Sequence, residues 1–361
     1  MKIVVAMSGG VDSSVAAALL VEQGHDVIGV SMQLYPSTSG GQTNGREGEP
    51  SFGTCCTIDD LYDARRVATA IGIPHYILNL EEQFRETVVA NFVREYAAGR
   101  TPIPCAHCNS DLKFATLVER AEGFGAEAVA TGHYARVERG ADGAFILKRG
   151  LDPDKDQAYF LFSLTQTQLA RVQFPVGHLG KDEVRARARG LKLGVADKPD
   201  SQEICFVPDG DYAGFLERHS PELRRDGLIL DGEGHVLGRH GGIHRFTIGQ
   251  RKGLGLSSTA PLYVTEIREA SGTVVVGDRD ALDRASLTAR DVNWIAGTPP
   301  EGALRCEAQI RHRHRAAAGT AHARLDGRAA FDFETPQPAI TPGQAVVFYD
   351  GETVLGGGWI E

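Results

Sequence analysis

The sequence predicts an α/β domain built on a parallel sheet, followed by a small central domain and a C-terminal β-barrel. In the first third of the chain, short β-branched runs such as IVVAM, HDVIGVSM and IPHYILNL alternate with helical patterns, which is typical of βαβ units. From about Ala281 to Glu361, apolar residues alternate at period two between turn signals such as TPGQ and YDGE. The length of 361 residues exceeds what one hydrophobic core usually supports, so we expect several domains.

The elements of the first domain follow in chain order. The run IVVAM predicts a buried first strand rather than an export signal, and a helix begins at about Ser13. After the strand HDVIGVSM, a stretch rich in Gly, Ser and Thr at residues 36–54 predicts a long mobile insertion. The second helix has Thr57 as its N-cap and apolar residues at spacings of three and four. These apolar residues are Ile58, Leu61, Ala64, Val67, Ala68 and Ile71.

The later segments give the remaining domains. The strand EAVATGHYARV lies near residue 130, and helical patterns recur before the loop KLGVADKPDSQEICF. Between Gly210 and Ala281 glycine is frequent and the strands are short. We therefore predict three domains, at residues 1–205, 206–281 and 282–361.

Composition and charge limit the function classes. Apolar residues make up 42% of the chain and charged residues 24%, and no apolar run approaches the length of a membrane span. A net charge of -9 argues against a protein that coats nucleic acid nonspecifically, so any RNA contact must be local. Six cysteines without an export signal indicate reduced thiols used for chemistry or metal binding, and hence a cytoplasmic protein.

The segment SGGVDSS, from Ser8 to Ser14, lies between the first strand and the first helix. Its glycines let the backbone approach an anion closely, the helix N-terminus directs N–H groups at that anion, and Ser13 and Ser14 add hydroxyl donors. Asp12 is placed either to help hold Mg²⁺ or to cap the helix. Any strand-to-helix turn favours Gly and Ser, but this spacing matches a known phosphate-binding signature. The segment therefore predicts a polyphosphate site.

SGGVDSS resembles the pyrophosphate loop of the ATP pyrophosphatases, which have a Rossmann-like domain of the adenine nucleotide alpha hydrolase type. Seven further segments resemble, in the same order, the bacterial tRNA-specific 2-thiouridylases (the MnmA family), and the similarity covers nearly the whole chain. These segments are CTIDDLYDARRVATAIGIPHYILN, GRTPIPCAHCNSDLKF, ATGHYAR, KDQAYFL, SQEICF, GIHRFTIGQRKGLG and TPGQAVVFYDGETVLGGG. The sequence is therefore identified as a member of this family.

The resemblance implies an enzyme that replaces an oxygen of the wobble uridine of tRNA with sulfur and releases AMP and pyrophosphate. It implies ATP and Mg²⁺ as cofactors and the tRNAs for lysine, glutamate and glutamine as substrates. It also implies that a cysteine desulfurase or a sulfur-relay protein delivers the sulfur as a persulfide. The implied nucleotide contacts are Ala6, Met7, Ser8, Gly9, Gly10, Val11, Asp12, Ser13, Met32 and Gly132.

Three cysteines are candidates for the sulfur chemistry. Cys105 and Cys108 form a CxxC ahead of a helix that we expect to begin near Leu112, and a helix N-terminus there favours the Cys108 thiolate. The resemblance implies that Cys205 carries the persulfide and that Cys108 releases the sulfur by forming a disulfide with it. Asp200 and Ser201, which precede Cys205, are assigned no chemistry. The remaining cysteines, interpreted as small buried side chains, are Cys55, Cys56 and Cys306.

Cys105 departs from the family pattern, which usually has at this position an aspartate with a proton-transfer or orienting role. That role cannot be assumed here. Together with Cys108 and Cys205, Cys105 can also ligate three irons of a [4Fe–4S] cluster that binds the sulfur. A structural zinc is a third interpretation, with His107 or the Cys55–Cys56 pair as the additional ligand. Relay, cluster and zinc all remain open on the sequence alone.

Two basic stretches are candidates for tRNA contacts. Residues 234–265 contain no acidic residue but carry Arg239, Arg245, Arg251 and Lys252, and the arginines alternating through residues 311–315 predict one face of a strand. Either stretch can line an RNA backbone groove or form a solvated surface. The resemblance places the target base against residues 103–105. The full set of implied tRNA contacts is Ile103, Pro104, Cys105, His133, Lys155, Asp156, Gln157, Arg311, His312 and Gln344.

Two other functions are compatible with parts of the sequence. An adenylating ligase for a small molecule predicts turnover without RNA and indifference to Cys205→Ser. A noncatalytic, metal-bound RNA-binding module predicts RNA binding without AMP release.

Overall fold

The computed structural model describes residues 1–34, 58–200, 204–207 and 209–361. It divides into two compact units, Met1–Val88 with Cys105–Gly210 and Val89–Pro104 with Asp211–Glu361. The sequence predictions for residues 36–54, Cys55, Cys56, Thr57 and Ser201 lie outside the described residues.

The first unit contains a five-stranded parallel sheet, which confirms the predicted α/β domain. In spatial order its strands are β3 (His75–Asn79), β2 (Asp26–Gln33), β1 (Lys2–Ala6), β4 (Ala128–Ala130) and β7 (Val172–Gln173). An antiparallel hairpin is formed by β5 (Ala135–Arg139) and β6 (Phe145–Arg149).

The helices are numbered along the chain. Those within the first unit are α1 (Val11–Glu22), α2 (Ile58–Ile71), α3 (Glu81–Phe84), α6 (Phe114–Gly123), α7 (Gln166–Leu169) and α8 (Lys181–Gly190). Those within the second unit are α4 (Ala90–Ala97) and α9 (Tyr212–His219). The short helix α5 (Pro104–His107) begins at the last residue assigned to the second unit. Among the described helices, none is both long enough and apolar enough to span a membrane.

The centre of the first unit forms because β1 and α1 are both apolar. Ile3, Val4 and Val5 of β1 are fully buried, and β-branched residues favour a strand. Ala16 and Ala17 of α1 are also fully buried, and their small side chains allow the helix to lie close to the sheet. Parallel strands end at the same edge of a sheet, so the turns that follow β1 and β4 are brought together there.

The second unit contains a four-stranded sheet and a closed barrel. The sheet strands, in spatial order, are β10 (Tyr263–Arg268), β11 (Thr273–Gly277), β8 (Gly227–Leu230) and β9 (Val236–His240). The barrel strands are β12 (Asp283–Trp294), β15 (Ala329–Pro338), β14 (Ala317–Ala323), β13 (Ala303–Gln309), β16 (Ala345–Asp350) and β17 (Thr353–Ile360).

Pairing of β17 with β12 closes the barrel, which confirms the predicted C-terminal domain type. Its interior is apolar: Phe348 stacks with Phe331, with ring centroids 5.7 Å apart, and with Trp294, with centroids 5.4 Å apart. The predicted domain boundaries at residues 205 and 281 stay a prediction.

The helix predicted to begin near Leu112 begins at Pro104 instead. It continues from α5 through a π-helical turn at Cys108–Lys113 into α6. Proline suits the first turn of a helix, where its missing N–H is not needed. The polar residues after Cys108 did not indicate a helix, because residues such as Ser110 usually favour loops. In the structure the Ser110 hydroxyl donates to the Ala106 carbonyl at 3.1 Å.

The strand predicted at residues 311–315 is also wrong. These residues form a turn between β13 and β14, and β14 begins only at Ala317. Gln309 holds the turn, since its Nε2 donates to the carbonyls of Arg311 at 3.2 Å and His312 at 2.7 Å. The alternating arginines therefore lie in a turn where the carbonyls of Arg311 and His312 accept from a side chain, and the His314 N–H donates to the Arg311 carbonyl at 2.9 Å.

Candidate active site

The turn between β1 and α1 has the geometry of a phosphate loop. Gly9 has a φ of +74°, and a Cβ at this position would overlap the Asp60 carbonyl, so glycine is required. Gly10 is the N-cap of α1 and provides no side-chain cap for the first turn. The Ser8 N–H donates to the Ser13 hydroxyl at 3.1 Å, which closes the loop on the helix. Such a helix start is suited to an anion.

Not every residue of the loop can face a ligand through its side chain. Ser14 is fully buried and its hydroxyl donates to the Gly10 carbonyl at 2.8 Å, so the prediction that it adds a phosphate donor is wrong. Met7 and Val11 are buried in the core of the first unit. A nucleotide contact at these two positions therefore has to come from the backbone.

The neighbouring strand ends meet this loop. A Cβ at Gly132 would collide with the backbone of Asp12 and Ser13, so the turn after β4 lies directly against the first turn of α1. In β2, the Ser31 hydroxyl donates to the Met7 carbonyl at 2.6 Å, and the adjacent Met32 is buried. The structure thus brings the predicted nucleotide contacts from three strands together at one edge of the sheet.

Asp12 lies in the first turn of α1 and does not cap it, because the N-cap is Gly10. Instead, both of its carboxylate oxygens accept hydrogen bonds from Lys181 Nζ at 2.8 Å, and the Tyr134 hydroxyl donates at 2.7 Å. Burial, and next the charge of Asp12, raise the pKa of Tyr134 far above its usual range, so its hydroxyl keeps its proton.

Lys181 also reaches a second carboxylate, that of Asp200, at 2.7 Å. Lys155 Nζ and Arg185 Nη2 bind the same carboxylate at 2.9 Å and 3.2 Å. Burial alone would raise the pKa of Asp200, but hydrogen bonds from Lys181 and Lys155 outweigh it and the pKa lies below its ordinary value. Asp200 is therefore a carboxylate at neutral pH, held by three cations.

A second lysine, Lys198, connects the phosphate loop to α2. Lys198 Nζ donates to the Gly9 carbonyl at 3.1 Å, to Asp60 at 2.5 Å and to Asp63 at 2.7 Å. Burial would lower the pKa of Lys198, but its hydrogen bonds to Asp60 and Asp63 outweigh burial and raise that pKa. The ammonium stays charged and ties the start of α2 to the loop.

The three candidate cysteines differ in exposure. Cys108 is buried where the π-helical turn begins, Cys105 is exposed, and Cys205 is half-buried. Because the helix begins at Pro104, Cys108 lies one turn inside it and not ahead of it, so the field of the N-terminus is weaker there than predicted. Next to Cys205, Phe206 packs edge-to-face on Phe84 with centroids 5.7 Å apart.

In the part of the chain that the structure describes, no group of three or more His, Cys, Asp or Glu side chains could hold a metal ion. Cys105, Cys108 and Cys205 all belong to that part. His107, suggested as an additional zinc ligand, lies 3.1 Å from Asp111. The described residues therefore do not bring the three thiols together as a metal-ligand set.

Two of the predicted tRNA contacts in the KDQ motif accept hydrogen bonds from other residues of the first unit. Asp156 accepts a hydrogen bond from Arg149 at 2.8 Å and from two backbone N–H groups. Gln157 accepts from the Tyr134 N–H at 3.0 Å. The third residue, Lys155, binds Asp200 beside the phosphate loop. Whether these residues also meet tRNA stays a prediction.

His133 follows Gly132 and lies among aromatic rings. Its Nδ1 is 2.8 Å from the Thr131 hydroxyl, and its ring contacts Phe114 and Phe174. Burial, assisted by the charge of Lys113, lowers the pKa of His133 well below its usual range. At neutral pH His133 can therefore offer an RNA hydrogen bonds but no positive charge.

Some of the predicted tRNA contacts in the second unit also make contacts within the protein. Ile103 and Pro104 are buried, Gln344 Nε2 donates to the Thr101 carbonyl at 2.8 Å, and Arg311 donates to the Pro338 carbonyl at 3.3 Å. The His312 side chain is exposed. In the acid-free stretch, the exposed cations are Arg239, Arg245, Arg251 and Lys252.

The sequence patterns did not indicate an acidic residue outside this stretch that pairs with its basic side chains. Glu217 of α9 is buried and binds Arg245, with Arg224 Nε at 2.6 Å and His244 Nε2 at 3.0 Å. The patterns did not indicate Lys181, Lys198 and Asp60 either. No local pattern could have found them, because the pairs of Lys181 with Asp12 and of Lys198 with Asp60 join residues more than a hundred positions apart.

Family models match almost the whole chain. Residues 1–209 match the tRNA methyl transferase HUP domain, residues 213–278 the tRNA methyl transferase PRC-barrel domain, and residues 284–360 the aminomethyltransferase beta-barrel domain.

Curated relatives are similar over nearly their full length. The tRNA-specific 2-thiouridylase MnmA of Geotalea uraniireducens is 53% identical over 360 residues, which cover 100% of this chain and 95% of the relative. Its counterpart in Geobacter metallireducens is 52% identical and covers 100% and 96%. A solved structure described as a 4-thiouridine synthetase–RNA complex with bound ATP matches 61% of this chain and 50% of its own at 18% identity and a TM-score of 0.35, which is too distant to carry an argument.

Proposed function

We propose, because this chain belongs to the tRNA-specific 2-thiouridylase family, that it uses ATP to replace the C2 oxygen of a tRNA uridine with sulfur. The observation that carries the proposal is the phosphate loop from Ser8 to Ser13, which follows β1 at the edge where Gly132 and Met32 also lie. ATP is needed because the uridine oxygen is a poor leaving group. Transfer of the adenylyl group to this oxygen makes AMP the leaving group and releases pyrophosphate.

The phosphate loop contributes electrostatic stabilisation while charge develops on the leaving pyrophosphate. The residues present fit Mg²⁺ in one respect: Asp12 offers a carboxylate in the first turn of α1, next to the loop. Lys181 occupies both of its oxygens, so a metal ion and this ammonium compete for them. Magnesium binding by Asp12 is part of the proposal.

For the sulfur step we propose a relay through two thiols. A persulfide on Cys205 attacks C2 of the adenylated uridine and AMP leaves, which joins the base to Cys205 through a disulfide bond. The Cys108 thiolate then attacks the Cys205 sulfur, so that 2-thiouridine is released and a Cys108–Cys205 disulfide forms. An external reductant restores both thiols. The described residues do not form a [4Fe–4S] ligand set, and no step runs through a cluster.

The substrate is proposed to be the wobble uridine of the lysine, glutamate and glutamine tRNAs. A single-stranded anticodon loop lets a base be splayed out into a pocket at low cost. Exposed Arg239, Arg251, Lys252 and His312 are proposed to contact the tRNA backbone or loop. The persulfide donor is proposed to be a cysteine desulfurase or a sulfur-relay protein, in the cytoplasm, where ATP, tRNA and reduced thiols occur together.

The proposal is tested by incubating the purified protein with ATP, a persulfide donor and unmodified tRNA, followed by mass spectrometry of the nucleosides. We expect 2-thiouridine from the wild type and none from Cys108→Ser or Cys205→Ser. Cys306→Ser is the matched control, because Cys306 is buried in the barrel strand β13. Loss of product in the control as well, or product from Cys205→Ser, would contradict the relay.

The same assay separates the alternatives. Cys105→Ala leaves the relay both of its thiols, whereas it removes one ligand of a three-cysteine cluster. Product from Cys105→Ala protein that contains no iron therefore supports the relay. Loss of product from Cys105→Ala, together with iron that the wild type binds and the variant does not, supports the cluster. Turnover of ATP without RNA would support a small-molecule ligase, and tRNA binding without AMP release would support a noncatalytic module.

A further inference from the structure

A buried carboxylate in the second unit holds two exposed arginines. Glu217 of α9 has a side chain that is 3% exposed, whereas those of Arg224 and Arg245 are 69% and 47% exposed. Oε2 of Glu217 accepts a hydrogen bond from Arg224 Nε at 2.6 Å, and Oε1 accepts from Arg245 Nη2. One guanidinium is therefore fixed on each oxygen of the same carboxylate, which keeps the two close together at the surface.

The interior of the unit holds this carboxylate in place. His244 is fully buried, and its Nε2 lies 3.0 Å from Glu217 Oε1. Burial would raise the pKa of Glu217, but hydrogen bonds from His244 and Arg224 outweigh it and lower the pKa to about 2, so the carboxylate is ionised at neutral pH. The Tyr212 hydroxyl donates to the Arg245 carbonyl at 3.2 Å and restrains its backbone as well. Groups that are already ordered lose little entropy when a ligand binds to them.

The two arginines leave a positive charge and free donors at the surface. A guanidinium has five N–H donors, and Arg224 and Arg245 each use one of them on Glu217. Among the residues that the structure describes, both arginines form ion pairs with Glu217 alone. Glu222 and Asp226 flank Arg224 in the sequence, but neither pairs with it in the described structure. Two positive charges therefore share one negative charge.

Glu95 shows how a purely structural pair of arginines is balanced in the same unit. Glu95 is also buried and binds Arg100 at 2.6 Å and Arg290 at 3.7 Å. However, Arg290 also pairs with Asp291 at 2.6 Å, so two carboxylates serve two arginines. The surplus charge at Glu217 is thus not a general property of buried acids in this unit.

A further exposed arginine lies at the same end of a strand pair. Arg224 lies three residues before β8, and Gly227, the first residue of β8, pairs with His240, the last residue of β9. The exposed Arg239 precedes His240 and is therefore at this end of β9. Arg239 and Arg245 both belong to the acid-free stretch at residues 234–265.

We infer that Glu217 is a positioning residue that holds Arg224 and Arg245 together as one binding site for a backbone phosphate of the tRNA. This inference rests on the proposed function, which makes tRNA the substrate. The planar fork of an arginine matches the oxygens of a phosphate and donates to them in pairs. Two guanidiniums repel each other unless a negative charge lies between them, and Glu217 supplies that charge from the buried side. A contact of this kind orients the tRNA on the protein and reads no base.

The site is tested by measuring the affinity of the full-length protein for end-labelled, unmodified tRNA by fluorescence anisotropy, between about 50 and 200 mM salt. Arg224→Gln should weaken binding about tenfold, the lower end for a charge-assisted hydrogen bond. It should also reduce the slope of log K against log salt by about one, because one phosphate contact is lost. A stability defect alone does not change this slope.

Arg268→Gln is the matched control. Arg268 lies in the same unit with a side chain that is 50% exposed, but it pairs one to one with the exposed Glu266 at 2.7 Å. Its replacement should leave both the affinity for tRNA and the salt slope unchanged. An unchanged affinity and slope in Arg224→Gln, or an equal loss in Arg268→Gln, would overturn the proposed site.

Two further variants test whether the arginines act as a pair. The double variant Arg224→Gln, Arg245→Gln should lose less in log K than the sum of the two single losses, because either arginine alone holds a phosphate poorly. Glu217→Gln makes the net charge more positive by one unit, so an effect of charge alone would tighten tRNA binding. We expect weaker binding and a smaller salt slope, because the guanidiniums separate. Additive losses in the double variant, or unchanged or tighter binding by Glu217→Gln, would contradict the pairing.

The thiolation assay separates this inference from the function on which it rests. If the wild type binds tRNA and forms 2-thiouridine while Arg224→Gln binds tRNA equally well, the phosphate site fails and the proposed function stands. If the wild type neither binds tRNA nor forms 2-thiouridine, both fail. Hydrogen exchange of the α9 and β11 peptides shows whether each variant has kept its fold, and Arg224, as the more exposed arginine, is the position where replacement disturbs the fold least.

Discussion

Replacing Lys198 with methionine tests how the phosphate loop is held in shape. Methionine has a similar length but no charge and no donor, so the change removes the bonds to Gly9, Asp60 and Asp63 together. We expect a less stable first unit and weaker ATP binding, because the loop loses its link to the start of α2.

The size of the effect follows from the burial of the partners. An exposed ion pair is worth about 0–1 kcal/mol, whereas breaking a buried one costs about 3–5 kcal/mol. The Asp60 side chain is 7% exposed and that of Lys198 is 29% exposed, so this pair lies between the two limits. We therefore expect a loss of roughly 2–3 kcal/mol in the free energy of unfolding of the first unit. The raised pKa of Lys198 keeps it charged at neutral pH, and its stabilisation is lost only above the ordinary lysine pKa of 10.5.

Hydrogen exchange of peptides from β1 and α2 is the appropriate assay, because both tryptophans lie in the second unit and would not report on the first. Arg66→Met is the matched control: Arg66 also pairs with Asp63, but its side chain is 74% exposed, so the loss should stay within about 1 kcal/mol. Asp60→Asn in the Lys198→Met background should restore part of the stability by removing the buried charge. A loss no larger than that of the control, or no restoration, would refute this account of the loop.

Three further outcomes are expected. In Glu217→Gln the free energy of unfolding of the second unit should fall by about 3 kcal/mol at pH 7. Burial would raise the pKa of Glu217, but hydrogen bonds from His244 and Arg224 and the charge of Arg245 outweigh it and lower this pKa from 4.5 to about 2. Since this stabilisation is complete above pH 4.5 and lost toward pH 2, the difference in hydrogen exchange of α9 should shrink as pH falls through this range; a difference independent of pH contradicts the assignment. Gly132→Ala should weaken ATP binding and lower the free energy of unfolding of the first unit by about 1–3 kcal/mol, because its Cβ would overlap the backbone of Asp12 and Ser13. Gly123→Ala, at a helical position with open space, should leave ATP binding measured by calorimetry unchanged. Arg251→Ala should lower tRNA affinity and reduce the slope of log K against log salt by about one, and an unchanged slope would argue against a phosphate contact.

The parts of the site that could be predicted from sequence are those made by short segments. The phosphate loop follows from a strand, a glycine turn and a helix that are contiguous in sequence, and the requirement for Gly9 comes from a left-handed φ. The alternation of strands and helices likewise predicted the sheet of the first unit. The period-two alternation of apolar residues predicted the barrel of the second unit. In each case neighbouring residues carry the whole signal.

The predictions that failed did so where side chains replace the expected backbone pattern. The helix extends back to Pro104, and within it the hydroxyl of Ser110, a residue that usually favours loops, donates to the Ala106 carbonyl. Residues 311–315 alternate as a strand would, yet Gln309 satisfies their carbonyls and fixes a turn. Local patterns report what a segment prefers in isolation, whereas in these two segments hydrogen bonds from one side chain to the backbone favour a different structure.

The long-range ion pairs around the phosphate loop also change what the net charge of the chain implies. A protein with a net charge of -9 that binds a polyphosphate must neutralise its own carboxylates near the site, because like charges a few ångströms apart repel strongly at low dielectric. Four aspartates lie in the loop or pair with the lysines around it. In the described part of the chain, four cations whose side chains are at most 37% exposed pair with them, and the exposed Arg66 also pairs with Asp63. The aspartates are Asp12, Asp60, Asp63 and Asp200, and the cations are Lys155, Lys181, Arg185 and Lys198. Removing any one of these four cations makes the charge beside the loop more negative by one unit, so each removal should weaken ATP binding more than a neutral change of equal volume elsewhere in the first unit.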